Sequence, residues 1–243
     1  LSSATLPQGT IFTSTIDDVN YQFITIADHT TISTNNEIVF NDIPIYEGTY
    51  VTNRYTVDTK NTNQKFILSD SNGDTTTLVV DVFDSASSSV STTFTQATDN
   101  TQIGAESDVF FLQETIDGKF EIYFGDGVIG KSLSDGNIVR LRYVVTNKTA
   151  ANNANSFSTS TSISGITDVV VQTVSNASGG AERESIDSIK FNAPLDYAAQ
   201  GRAVTINDYK AIVPKVYANT KSVQVYGGED NDVPTYGKVY ISI

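Results

Sequence analysis

Residues 120–145, FEIYFGDGVIGKSLSDGNIVRLRYVV, constrain the fold more than any other stretch, because two incompatible readings meet there. Gly125 to Ser132 spells G-x-x-x-x-G-K-S, the phosphate-cradling pattern of nucleotide-binding enzymes. That pattern works only when a helix begins directly after the Lys-Ser, since the free N–H groups of the helix N-terminus hold the phosphates. Here Ser132 is followed by Leu-Ser-Asp-Gly-Asn, a second turn signal. Next, Ile138, Arg140 and Arg142 alternate with Val139, Leu141 and Tyr143, the period of two that marks a strand. Asp126 would also set a carboxylate against the phosphates. The segment therefore reads as a glycine-rich hairpin turn between two strands, with Gly125, Gly127, Gly130 and Gly136 supplying positive φ.

The same alternation runs through the middle of the chain. Strands are expected at Tyr46–Val57, Lys65–Leu68, Thr76–Val82, Val90–Thr95, Val109–Glu114, Phe120–Phe124 and Asn137–Val145. Asn72-Gly73, Asp117-Gly118 and Asp135-Gly136 are turn pairs of the hairpin type. Short strands are also expected at Thr10–Thr15, Tyr21–Ala27 and Glu37–Phe40, with Pro44 marking a boundary. The polar stretch 148–163 reads as a linker or crossing loop, and Asp168–Val174 as a further strand. Beyond Gly180 the period changes. Ile186, Ile189, Lys190 and Ala193 have helical spacing after Ser185, and Pro194 is expected to end that helix. Thr205-x-x-Asp208 has capping-box spacing and opens a short helix before Pro214. Strands return at Ser222–Tyr226 and Gly237–Ile243. The expectation is an α+β, mainly β chain, with a β-sandwich or barrel-like domain at 45–148 inserted in a smaller α+β unit. Residues 1–44 plus 149–184 form the β-rich part of that unit, and 185–243 its C-terminal α/β part.

Composition excludes several function classes. The net charge is −13 and the basic residues are scattered along the chain, which argues against nucleic acid and against an anionic membrane surface as partners. No apolar run reaches the length of a membrane span. Cysteine is absent and His29 is the single histidine, so thiolate chemistry and a multi-histidine metal site are both out of reach. His29 reads as a solvent-exposed loop residue. The carboxylates of Asp70, Asp74, Asp117, Glu121, Asp126 and the run Glu229-Asp230-Asn231-Asp232 have neither EF-hand spacing nor a recognisable catalytic pattern. They read as solvated turn charges, and neither metal, cofactor nor catalytic residue is assigned. The chain lacks an initiating methionine and stops within a strand pattern, so a fragment of a longer protein is expected.

Two blocks, taken together, resemble a known family. Tyr123-Phe-Gly-Asp-Gly-Val-Ile-Gly-Lys131 followed by Asp135-Gly136 resembles the FGDG hairpin of baseplate J-like proteins. Gly179-Gly-Ala-Glu-Arg-Glu-Ser185, then Ala193-Pro194, then Gln200-Gly-Arg-Ala-Val-Thr-Ile-Asn-Asp-Tyr209, resembles that family's second signature in order and spacing. Tyr46-Glu47-Gly48 and Phe111-Leu-Gln-Glu114 are most similar to the baseplate wedge proteins of T-even-type contractile-tailed phages. The resemblance implies a non-enzymatic part of the virion's tail baseplate, assembled in the host cytoplasm. It implies homodimers that link wedges into a ring around the hub, contacts with other wedge proteins, and a shape change at sheath contraction. A carbohydrate-binding or adhesin-like tail module is the alternative. Within the signature, Arg202 is expected to reach a carboxylate or helix-end carbonyls, Thr205 and Asp208 to cap a helix, and Tyr209 to pack that helix on a sheet.

Overall fold

The computed structural model describes residues 1–98, 103–217 and 220–243. The chain forms two compact units, the first comprising residues 1–147 and 154–175, the second 148–153 and 176–243.

The first unit is built on a seven-stranded sheet. Its strands are β6 (Thr49–Thr56), β7 (Phe66–Ile67), β8 (Gly73–Phe83), β9 (Ser91–Gln96), β10 (Val109–Glu114), β11 (Phe120–Phe124) and β12 (Ile138–Val145). Their order is β6-β12-β8-β9-β10-β11-β7, antiparallel except for the parallel pair β9–β10. Alternate residues of these strands turn inward, as the period of two demands. Val57, Leu68, Val80, Val82, Phe94, Phe110, Ile122, Val139, Leu141 and Tyr143 form one buried cluster, with Phe124 set edge-on against both Phe66 and Phe94. The two edge strands, β6 and β7, are joined by side chains instead of a ladder. Tyr55 donates its hydroxyl to the Ile67 carbonyl at 2.6 Å, and the buried Tyr143 hydroxyl accepts from the Ser69 N–H and donates to Asn53, both at 2.9 Å. The sheet is thereby a nearly closed barrel, which protects its edges.

Smaller sheets precede the barrel in sequence. β1 (Ser3–Leu6) pairs with β4 (His29–Ile32), and β2 (Ile11–Ile16), β3 (Val19–Ile24) and β5 (Tyr46–Glu47) form a three-stranded antiparallel sheet. After the barrel the chain returns to this region. Ser158 bridges to Thr13, and Phe157 sets its ring edge-on to Phe23 at 4.9 Å.

The second unit holds α1 (Ile186–Ala199), α2 (Ile206–Val216) and the antiparallel pair β13 (Gln224–Gly227) and β14 (Val239–Ser242). The two helices pack on each other, and α2 packs on β13.

Several local expectations differ from what the chain does. Glu37–Phe40 forms only a bridge from Glu37 to Thr34, and Asp168–Val174 stays outside any ladder, because alternation makes a strand only where a neighbouring edge accepts it. His29 lies in β4, paired with Leu6, and not in a loop. Pro194 and Pro214 sit inside α1 and α2 and do not end them. Each proline removes one intrahelical N–H, and both lie on exposed helix faces, where the freed carbonyl is open to solvent.

Candidate functional site

The glycine-rich segment does not join adjacent strands, which corrects the hairpin reading. β11 pairs with β10 and β7, whereas β12 pairs with β6 and β8. The segment is a tight turn followed by a crossing. The Gly127 N–H donates to the Gly130 carbonyl at 3.0 Å, and both residues have positive φ. Gly125 does not. Its requirement is for close approach, since a Cβ there would overlap the Gly130 carbonyl.

Asp126 braces this turn. Its Oδ1 accepts the Val128 and Ile129 N–H groups at 2.9 and 3.0 Å. Those two bonds, Ile129 first, hold its carboxyl below the usual carboxylate range. The N–H groups that a phosphate would need are therefore occupied by the protein's own carboxylate. No helix follows Lys131, whose Nζ instead pairs with Asp108 at 3.1 Å. The Gly130 and Lys131 N–H groups donate to the carbonyls of Gly104 and Ser107, which fastens the turn to a neighbouring loop. The result is a rigid projection carrying exposed Val128 and Ile129.

The second signature lies in the other unit. Thr205 Oγ1 accepts the Asp208 N–H at 3.3 Å, and Asp208 Oδ2 accepts the Thr205 and Val204 N–H groups at 2.7 and 3.1 Å. This reciprocal box caps α2. The Thr205 N–H bond is the main cause of the low pKa of Asp208, with a smaller contribution from the Arg202 charge. Arg202 bonds the Gln200 side-chain carbonyl at 3.3 Å, so its direct partner is neither a carboxylate nor a helix-end carbonyl. Tyr209 is half-buried on α2, as are Ile212 and Val213. Leu195, Ala198, Arg202, Val204, Thr205 and Asp208 border a shallow depression. At the head of α1, Ser185 accepts the Ser188 N–H at 3.2 Å, while Gly180 exchanges two hydrogen bonds with the Asn152 side chain.

The remaining carboxylates serve local structure. Glu121 is buried and paired with Lys65 at 3.0 Å, Asp117 accepts the Thr115 hydroxyl, and Asp70 and Asp74 accept N–H groups two residues on. No group of three or more metal-ligating side chains gathers among the described residues.

One arrangement escaped the sequence reading. Asp81, on β8, is buried beneath the outer face of the barrel and accepts from Arg140 at 3.0 Å, Arg142 at 2.8 Å and the Thr93 hydroxyl at 2.8 Å. Arg142 also donates to Gln8, whose amide donates to the Tyr50 hydroxyl, so the network ties the N-terminal segment to the barrel. Burial pushes the Tyr50 hydroxyl pKa up. Basic residues scattered in sequence thus converge on one sheet face. The one available signal is the outward spacing of Arg140 and Arg142 on a single strand.

Comparisons with known proteins place both signatures within matched segments or at their edge. Residues 51–156 match the model of the bacteriophage baseplate wedge protein gp6, third domain, and residues 205–243 match that of the baseplate structural protein gp6, C-terminal domain I. The first match runs from within β6 through the rest of the barrel and includes the glycine turn, and the second starts at the α2 cap. A curated relative, the baseplate wedge protein gp6 of Enterobacteria phage T4, is 28% identical over 156 residues. That alignment covers 55% of this chain and 23% of the relative. The two matched segments together make up more than half of the sequence, and the chain belongs to the T4-type baseplate wedge protein family.

Proposed function

We propose that this chain is a structural component of a contractile-tail baseplate wedge, located in the virion and assembled in the host cytoplasm. In this reading it forms homodimers that link wedges into a ring around the hub, contacts other wedge proteins, and follows the baseplate's shape change at sheath contraction. The glycine turn (Gly125, Asp126, Gly127, Gly130) and the capped helix (Arg202, Thr205, Asp208, Tyr209) are structural motifs of that assembly, not catalytic, cofactor or metal sites. The barrel at 45–148 is an insertion. Its support is that Ser158 and Phe157 rejoin Thr13 and Phe23 once the barrel is complete.

The observation that carries the assembly reading is the apolar surface of the second unit. Ile186, Phe191, Tyr197, Val204, Val216, Val233, Tyr236 and Ile243 are all largely exposed. So many large apolar side chains left exposed in one small unit are what a surface covered by a neighbour would present. Light scattering across a concentration series tests it. A dimer that persists at micromolar protein supports self-association through this chain. A strict monomer at all concentrations removes the homodimer from the reading and leaves the family role.

One observation favours the adhesin-like alternative: Phe111 and Tyr123 stack across β10 and β11 at 5.3 Å on the barrel exterior, with Tyr123 well exposed. A glycan array with no hits removes that reading.

A further inference from the structure

We propose that the outer barrel face around Arg54 and Arg140 is a docking surface for an acidic peptide segment of a partner protein. The inference rests on this face alone and holds whatever larger assembly the chain enters.

Arg54 on β6 and Arg140 on β12 are direct cross-strand partners. Their guanidinium groups both lie over the ring of Phe83, at 5.6 and 4.7 Å from its centroid. Like charges placed directly opposite on a sheet repel, and a single aromatic ring beneath both relieves only part of that. Arg142 adds a third guanidinium on the same side of β12. Against these three charges stands the carboxylate of Asp81, already shared between Arg140 and Arg142. Arg54 is exposed, and among the described residues it makes the ring contact but neither an ion pair nor a hydrogen bond. A guanidinium laid on a ring keeps its edge donors free, in the fork geometry that matches a carboxylate.

Beside it is a small cleft lined by Arg54, Tyr55, Thr56, Ala86 and Ile138. Ala86 and Ile138 give it apolar surface and Thr56 a hydroxyl, beside the place a carboxylate would take on Arg54. The charge of the whole chain sharpens the choice of partner. At −13 it repels acidic molecules everywhere except where positive charge is locally in excess, so this face orients an acidic segment as well as binding it. Nucleic acid is disfavoured, because three arginines on an otherwise acidic chain do not make the extended basic stripe that a phosphate backbone requires.

The test is a heteronuclear NMR titration of the full chain with hexaglutamate, reading the arginine Nε–H signals at about physiological salt to screen the net charge. Saturable shifts of the Arg54 and Arg140 signals, with backbone shifts at Thr56 and Ile138, are expected. Arg54→Gln should weaken the binding at least about tenfold, read at the Arg140 signal, without moving the melting temperature, since Arg54 is exposed. Arg54→Lys should recover only part of it, because an ammonium lacks the fork. The proposal is overturned by the absence of saturable shifts, by equal binding to hexaglutamine, or by unchanged affinity in Arg54→Gln. Tighter, Arg54-dependent binding of a DNA duplex would overturn it in favour of a nucleic-acid face.

Discussion

Replacing Asp81 by Asn isolates the electrostatic part of the barrel's outer wall. The substitution keeps shape and volume, and the new side-chain carbonyl still accepts from Thr93. What disappears is the charge that compensates Arg140 and Arg142. The Asp81 side chain is only 3% exposed, whereas those of Arg140 and Arg142 are 28% and 20% exposed. Removing one partner of a fully buried pair costs about 3–5 kcal/mol. Because both arginines retain some water, the cost here should fall to about 2–3 kcal/mol. For a unit of this size that corresponds to a drop of roughly 4–12 °C in melting temperature. Differential scanning calorimetry of the full chain reads it as a shift of the barrel transition. The double variant Asp81→Asn with Arg142→Met should recover part of the loss, since it no longer strands that guanidinium. A single-variant loss below about 0.5 kcal/mol, the usual limit for surface changes, would refute the reasoning and make the triad an exposed ion pair of little consequence.

Three further outcomes follow from other parts of the molecule. Tyr143→Phe should cost about 1–3 kcal/mol in urea unfolding, because the buried hydroxyl closes the β6–β7 seam through Ser69 and Asn53. Gly125→Ala should lower the melting temperature more than Gly127→Ala, since the former collides with backbone while the latter meets only strain of about 1 kcal/mol from its positive φ. Thr205→Ala should weaken α2 by about 1 kcal/mol. Asp208 has a lowered folded pKa, so the stability it adds is present above its ordinary value and is lost as pH falls through the lowered one. The helical signal of the wild type should therefore decline below about pH 4, and that of Asp208→Asn should decline less over the same range, with Glu184 at the head of α1 accounting for part of the remainder.

The barrel strands were legible because each carries its own alternation and is bounded by its own turn residues. Val139, Leu141 and Tyr143 on one side of β12 and Arg140 and Arg142 on the other state which face is buried before any neighbour is known. Helix caps were legible for the same reason, since Thr205 and Asp208 meet within one turn. Pairing was not. The FGDG turn sits between two strands in sequence, yet β11 and β12 separate to different neighbours, because closure of the whole sheet decides strand order. β1 and β4 were missed because runs such as His29-Thr-Thr-Ile32 hold little apolar signal and gain strand structure only from each other. Arg54, Asp81 and Arg140 lie on three strands far apart in sequence, so their convergence depends on a register that no local pattern encodes.

The two units resolve the folding problem differently, and that difference bears on function. The barrel buries a continuous core and closes its edges with Tyr55, Asn53 and Tyr143. The second unit does not achieve this. α1 carries apolar residues around its circumference instead of along one stripe, and Ala199 is its buried residue. Ile186, Phe191 and Tyr197 face solvent. β13 and β14 form a two-stranded sheet, an arrangement of marginal stability alone. The caps at Ser185 and Thr205 supply local order where the core is thin. The expected consequence is that binding of a neighbouring protein raises the melting temperature of the second unit more than that of the barrel, and equal shifts of both would refute it.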